Sequence, residues 1–264
     1  MTESSEMPSF AIVIVVYNKL PSDISFIRDF IKVRLISQII VCDNSDRPSE
    51  EKWVEGLPQN CKYLSMHGNQ GLASAYAAAQ DLIKSEYVCL LDDDTTLPLD
   101  YFDSVLSCIH DEVADVYVPI VWAGKMLMSP CNKDLFLFHP ARNVEKIHKR
   151  FSAINSGMII RSALFKSYNY RTGLFLDMVD HKFISDIKSA NHSIRIMTGV
   201  QIEQEYSRLS YDKHSEVKRY SIYKKDARLY YSTSMLAKFV CELHLLYRRM
   251  NLAIKYKDIS LLSL

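Results

Sequence analysis

"YVCLLDDDTTLP", residues 87–98, decides the fold. Tyr87 to Leu91 form a short apolar run with no polar interruption, and it ends on three adjacent carboxylates, Asp92, Asp93 and Asp94. Such a run is a strand covered on both faces, the kind found in a parallel sheet flanked by helices. Three like charges at its end repel one another, and each costs free energy when kept from water without a partner. A divalent cation relieves both problems. On an extended backbone Asp92 and Asp94 point to one side and Asp93 to the other. The outer pair is therefore the candidate site for Mn²⁺ or Mg²⁺, hard cations that take carboxylate oxygens together with a diphosphate. One of the two would coordinate directly or through water, and the other would hold a ligand hydroxyl or the metal's water shell. The plainer alternative is a solvated acidic turn capping a helix that starts near Leu99.

The stretches on either side repeat the strand signal. Ser9 to Tyr17 (SFAIVIVVY) and Gln38 to Cys42 (QIIVC) are short β-branched runs, and the pattern predicts a helix from about Ser22 to Val33 between them. Lys62 to Met66 gives a weaker third strand, Leu72 to Lys84 an Ala-rich helix, Tyr101 to Val113 a further helix and Asp115 to Trp122 a further strand. Alternation of this kind predicts a mainly parallel α/β sheet. Ligands in such sheets bind outside the carboxyl ends of the strands. Tyr17-Asn18, Asp43-Asn44 and Asp92 to Asp94 each follow directly on a strand, so they should converge on one edge. Beyond Trp122 the pattern is irregular, with Phe136 to Phe138 and Met158 to Ile160 as strands of a smaller mixed sheet.

The chain has 264 residues with 48% hydrophobic composition, ample for one large domain. Its 32 basic and 31 acidic residues nearly cancel, which speaks against a nucleic-acid binder. The basic end is the tail, with twelve Lys or Arg against seven Asp or Glu from Gln201 onward. Six cysteines without a CxxC pair read as buried thiols in a reducing compartment. The N-terminal MTESSEMPSF has neither a basic nor an apolar signal region, and no apolar run reaches the length of a membrane span. The expectation is a cytoplasmic protein, with peripheral contact at the inner face of the plasma membrane left open.

VCLLDDDTT also fits the apolar-DxDxT pattern of haloacid-dehalogenase-type phosphatases. In those enzymes the motif ends the first strand and is joined by a late GD-type acidic pair; here three strand-like runs precede it and no GD pair occurs. The sequence instead resembles the inverting, GT-A-fold glycosyltransferases of family two, in particular the rhamnosyl- and galactofuranosyl-transferring branches. IVIVVYN, VCDNSD, NQGLASAYAAAQ and LLDDDTTLP carry the resemblance in order, followed by INSGMIIRSALF and LFLDMVDHKFISDIK.

The resemblance implies a nucleotide site with Tyr17, Asn18 and Asp43 around base and ribose, Asn69 and Gly71 closing the pocket, Asp92 and Asp93 on the nucleotide side, and Asp92 and Asp94 as the ends of a DxD motif at the metal. Taken on its own residues, Asp43-Asn44-Ser45 is also an ordinary Asx-turn after a strand. The resemblance makes Asp180 the catalytic base, in the position of the Asp of the family's ED pair, with Val179 in place of the Glu. Asp177, one helical turn earlier, is the alternative base or an N-cap for the helix that carries Asp180. His181 is expected to point away from the site. Many relatives place a metal-binding His in a late strand; the corresponding VQIEQEYSRLSYDKHS has none in the strand itself, and Glu205 or His214 is either its substitute or an ordinary paired Glu and surface His.

The implied reaction moves a sugar from a dTDP- or UDP-linked donor to a glycan or polyprenol-linked acceptor in bacterial surface polysaccharide assembly. A nucleotidyltransferase on a similar sheet and a non-catalytic nucleotide-sugar-binding module are the rivals. The first of these wants a glycine-rich loop after the first strand, which VVYNKLPSD lacks. Residues 1–225 are expected to form the GT-A domain and 226–264 an amphipathic helical extension. Leu236, Phe239, Val240, Leu243, Leu246, Tyr247 and Met250 recur at three- and four-residue spacing there, fit to pack on the domain, on a second copy in a homodimer, or on a membrane surface.

Overall fold

The computed structural model describes residues 7–20, 24, 30, 33–47, 57–134, 136–204 and 212–264. Apart from Ile24, Phe30 and Val33, the helix expected over Ser22 to Val33 lies outside them, and so does Glu205. The protein is built on a curled, mainly parallel sheet flanked by helices, a GT-A fold with two long helices at its C-terminal end.

Strand β1 (Phe10–Val16) lies between β2 (Ile36–Asp43) and β4 (Tyr87–Asp92), parallel to both, and β3 (Cys61–Ser65) extends the sheet beside β2. Alternate residues of β1 serve two cores. Ala11 and Val13 join one apolar cluster, while Phe10, Ile12, Ile14 and Val16 join the other. A strand covered on both faces needs no polar residue, which is why its sequence is an unbroken apolar run. Helix α1 (Leu72–Ala79) covers one face, and the short β5 (Thr95–Thr96) and helix α2 (Tyr101–Asp111) follow β4.

Past α2 the chain supplies β6 (Val116–Ala123) and β7 (Met126–Ser129), then β8 (Cys131–Asp134), β9 (Leu137–Pro140) and β10 (Phe151–Ser152), the last three forming a small antiparallel sheet of their own. The smaller sheet is thus where Phe138 places it, but Met158 to Ile160 depart from expectation. They form β11 (Met158–Arg161), which inserts antiparallel between β4 and β6 in the main sheet. All three side chains are fully buried, and a central position with cover on both faces satisfies them better than an edge would. Helix α3 (Ser162–Ser167), helix α4 (Val179–Ser189) and β12 (Ile194–Gln204) follow, with β12 parallel to β6.

Helices α5 (Lys213–Tyr230) and α6 (Met235–Tyr256) start with side-chain caps, Asp212 accepting from the Ser215 amide and Ser234 from the Ala237 amide. The expected boundary between residues 225 and 226 falls inside α5. Tyr220, Tyr223, Ala227, Tyr231, Ala237, Cys241 and Leu245 belong to the same apolar cluster as Ala11 and Val13, so both helices share the core on one face of the sheet. Among the described residues no helix is long and apolar enough to cross a membrane.

Asp226 makes the firmest attachment. Its carboxylate is 2% exposed and accepts the backbone N–H groups of Phe175, Leu176 and Asp177 at 2.9, 2.8 and 2.8 Å. An ionised carboxylate is the best acceptor for such a run of amides. The segment it holds receives the Gly71 turn: Leu72 N–H donates to the Phe175 carbonyl at 2.6 Å, and a Cβ on Gly71 would lie 2.5 Å from that oxygen. With φ at +84°, Gly71 is also in backbone territory that L side chains rarely adopt.

Asp226→Ala leaves three amides without an acceptor, and denaturant unfolding should show a loss of roughly 3 kcal/mol or more. Removing residues 226–264 takes away this carboxylate together with Ala237, Cys241 and Leu245; the truncated chain should be insoluble or unfolded by circular dichroism, and a soluble, cooperatively folding product would show that the helices are dispensable to the core.

Candidate active site

Parallel register brings the polar strand ends together. Val16 stands beside Asp43 and Val15 beside Asp92, so the residues after β1, β2 and β4 meet at one edge of the sheet. Asn18 turns there with φ of +53°; its N–H donates to Ser45 Oγ at 2.8 Å and its Oδ1 accepts from the Asp46 amide at 3.3 Å. Tyr17 donates its hydroxyl to Asp46 at 2.7 Å, which raises the phenol's pKa. Asp43 is buried, taking the Tyr63 hydroxyl at 2.8 Å on one oxygen and the Ser45 amide at 3.0 Å on the other. Asn44 and Asn69 are joined at 3.1 Å, and their carbonyl oxygens accept the Gln70 and Gly71 amides, which fixes the loop before α1.

The three aspartates divide as their spacing dictates. Asp93 turns to β1, accepting from Tyr17 N–H at 3.0 Å and pairing with Lys19 at 3.0 Å. Asp92 and Asp94 share the other side. Ser156 Oγ donates to Asp92 Oδ2 at 2.8 Å and lies 3.2 Å from Gln204 Oε1, while Gln204 Nε2 donates to Asp94 Oδ1 at 2.9 Å. Burial, followed by the charge of Asp94, pushes the Asp92 carboxyl up to about 7 against the hydrogen bond from Ser156, and Asp180 and Asp93 add to the effect. Burial also raises Asp94. The pair therefore resists full ionisation unless a cation joins it.

Asp180 sits in the first turn of α4, its Oδ1 accepting the His181 amide at 2.7 Å. Asp177 is not the cap of that helix. Met178 occupies the cap position with φ of +63°, and the Asp177 carboxylate instead forms a two-pronged ion pair with Arg219 of α5, one contact being 2.7 Å. The strong donor on the neighbouring helix outcompetes a local cap. His181 does not point away either. Its ring stacks on Phe138 at 3.9 Å between centroids and bonds Ser152 Oγ at 2.8 Å, and burial lowers its pKa so that it stands neutral.

These groups face one cavity of about 970 Å³, whose wall includes Tyr17, Asn69, Gly71, Asp92, Asp93, Asp94, Asp177, Asp180 and His181. Asn18 and Asp43 are not on the wall. His214, exposed in the first turn of α5, is not on it either. Sequence reasoning missed Ser156, Gln204 and the C-terminal helices' side of the cavity, where Lys218, Tyr223, His244 and Arg248 lie. Ser156 was within reach as the Ser of INSG, and Gln204 stands in the very stretch where relatives carry a histidine. The Arg248 guanidinium lies 3.8 Å over the Tyr223 ring, a contact between helices that no local pattern announces.

Residues 11–168, more than half of the chain, match the family described as Glycosyl transferase family 2. The chain belongs to that family. No curated protein sequence matches it. Its fold is similar to that of GalNAc-T7 in a crystal structure with UDP, GalNAc and Mn²⁺, with a TM-score of 0.59 and 12% identity over 76% of this chain and 43% of that one. The chain thus spans less than half of that relative's length. A weaker likeness, TM-score 0.49 and 14% identity over 94% of this chain and 73% of the other, relates it to TarS 1–349 of S. aureus in complex with UDP-GlcNAc.

The residues of this family-two chain suit a divalent cation of restricted kind. Among the described residues no three His, Cys, Asp or Glu side chains converge as ligands. Asp92 and Asp94 are two, which fits a cation that keeps waters and completes its shell with substrate phosphates rather than one held in an all-protein cage. The hydroxyl of Tyr76 is fully buried with no hydrogen-bond partner among the described residues, and burial first, then the charge of Asp92, raises its pKa.

A cation competes with protons for Asp92 and Asp94, so Mn²⁺ should raise the melting temperature, and more at pH 8 than at pH 5. Asp92→Asn removes a raised carboxyl whose cost to the cation-free protein builds up as pH rises from its unfolded value of about 4 to about 7 and is fully present above that. It should melt higher than the wild type without metal at pH 8 and lose the response to Mn²⁺; an undiminished response would place the cation elsewhere.

Proposed function

We propose that this family-two chain is a metal-dependent inverting glycosyltransferase. The observation that carries this is the placement of Asp92, at the end of β4, Asp94, in the turn after it, and Asp180, from α4, on the wall of one cavity at the C-terminal edge of the sheet. An inverting transfer is a single displacement: an acceptor oxygen forms the new bond to the anomeric carbon, the bond to the nucleoside diphosphate breaks, and the acceptor proton goes to a base. Asp180 takes that proton. It stands in a first helical turn facing the cavity, with one oxygen engaged only by its neighbouring amide. Mn²⁺ or Mg²⁺ held by Asp92 and Asp94 would offset the charge of the departing diphosphate. Ser156 and Gln204 keep those two carboxylates aligned.

On the donor side Tyr17, Asn69, Gly71 and Asp93 line the nucleotide end, while Asn18 and Asp43 act from behind by fixing the turns that carry the wall. Of donors, dTDP-L-rhamnose or UDP-galactofuranose is favoured by the resemblance of the INSG and LDMVDHKF segments to those branches. The acceptor is a glycan or polyprenol-linked glycan of bacterial surface polysaccharide, O-antigen or capsule. The side of the cavity formed by Phe138, His181, Tyr223 and Tyr231 is aromatic, which suits sugar rings.

A panel of nucleotide sugars titrated by calorimetry with Mn²⁺ should single out one nucleoside diphosphate class. Asp180→Asn keeps the side chain's shape but takes no proton, so turnover should fall by roughly 10²-fold to 10⁴-fold with donor affinity unchanged. Asp177→Asn breaks a charged pair with Arg219 and should lower the melting temperature while keeping more of the turnover. Donor binding with no transfer to any acceptor by the wild type would instead mark a binding module, and an inactive Asp177→Asn beside an active Asp180→Asn would move the base by one helical turn.

A further inference from the structure

Helix α6 is apolar on the wrong side for a helix that simply caps a domain. Ala237, Cys241 and Leu245 face inward and are buried. Yet Leu236, Phe239, Leu243, Leu246 and Met250 are exposed, Phe239 by 61%. Two residues turn a helix by about 200°, so Leu243 points away from the core that Cys241 enters. Tyr247 and Ile254 flank the exposed row on one side, and Met235 opens it, with Ile254 and Met235 exposed by 73% and 81%. Scaled by ordinary side-chain areas, these eight residues present roughly 900 Å² of apolar surface. The largest patch on a typical monomer is about 300–600 Å², whereas each partner in a standard interface contributes about 800 Å².

The spacing and the area together fit a second helix of the same kind. The steps from Leu236 to Phe239, Leu243, Leu246 and Met250 are 3, 4, 3 and 4, the alternation of a coiled-coil seam. We propose that α6 pairs antiparallel with α6 of a second copy of this chain about a twofold axis. Leu243 then packs against the other copy's Leu246, and Phe239 against its Met250. The charges on the flank of this seam are already satisfied within the chain: both oxygens of Glu242 accept from Arg228, at 2.6 and 2.8 Å, and Arg249 donates to the Leu262 and Leu264 carbonyls, so the contact is closed by the apolar row itself.

A lipid surface is the other occupant an apolar helix face can have, and the charges disfavour it. Membrane-surface helices border their apolar face with free cations. Here Arg249 is engaged by the carbonyls of Leu262 and Leu264, Lys255 by Glu216, and the border carries Glu242 as well as Lys238. The opposite face of α6 contributes Val240, Cys241, His244 and Arg248 to the cavity. Pairing therefore braces the wall of the site from outside, and it holds independently of the sugar transferred.

Light scattering of the full chain at micromolar concentration should give twice the chain mass, and Leu243→Glu with Leu246→Glu should give the single mass with an unchanged circular dichroism spectrum. The register has its own test, which keeps the proposal falsifiable if that variant misfolds. Phe239→Cys combined with Met250→Cys should form an intermolecular disulfide under mild oxidation, and Phe239→Cys alone should not, because a residue far from the axis meets its own counterpart only at a distance. A wild type of single mass overturns the proposal, as does a dimer that survives both charge insertions with the fold intact. Co-sedimentation of a monomer with phosphatidylglycerol vesicles, abolished by those insertions, would assign the face to lipid instead.

Discussion

Three backbone amides in a row have no regular partner at Phe175, Leu176 and Asp177, and the carboxylate of Asp226 satisfies all three. Much of the site depends on that arrangement. The segment so fixed receives the Gly71 turn on its carbonyl at Phe175, carries Asp177 into its pair with Arg219, and delivers Asp180 into the cavity one turn later. An unpaired buried amide and an unpaired buried carboxylate are each costly; together they are a strong acceptor and three ordered donors. The C-terminal helices thus share the core of the sheet and hold the segment that leads to Asp180.

The second constraint is electrostatic and local to the sheet edge. Asp92 is partly buried at the end of its strand, and burial together with the charges of Asp94 and Asp180 raises its pKa. Ser156 and Gln204 give the outer carboxylates fixed directions without neutralising them, while Lys19 neutralises Asp93 and withdraws it to the β1 side. The result is an edge with one carboxylate spent on structure and two left in excess, the condition under which a cation and a diphosphate bind together more favourably than either alone.

The β-α-β core was legible because strands buried on both faces leave an unmistakable apolar run, and the aspartates at the end of β4 were legible because nothing in a strand explains them. β11 was misplaced for an instructive reason. Its residues say that it is buried, but neither direction nor neighbour is written in a four-residue apolar run. Asp177 and His181 were misread because their partners, Arg219 and Phe138, lie 42 and 43 residues away and only the folded chain brings them together. The amphipathicity of α6 was visible, but a helical wheel does not show which apolar stripe faces inward. The buried residues proved to be Ala237, Cys241 and Leu245, and not the row of Leu236, Phe239, Leu243 and Leu246.

Asp226 lies 49 to 51 residues after the amides it accepts. On a ribosome the segment 175–177 and Asp180 are therefore synthesised well before the carboxylate that holds them. Until α5 and α6 follow, the strands that bear the aspartates lack part of the core they pack against, so the cavity and its acidic edge take shape together only once these helices are made.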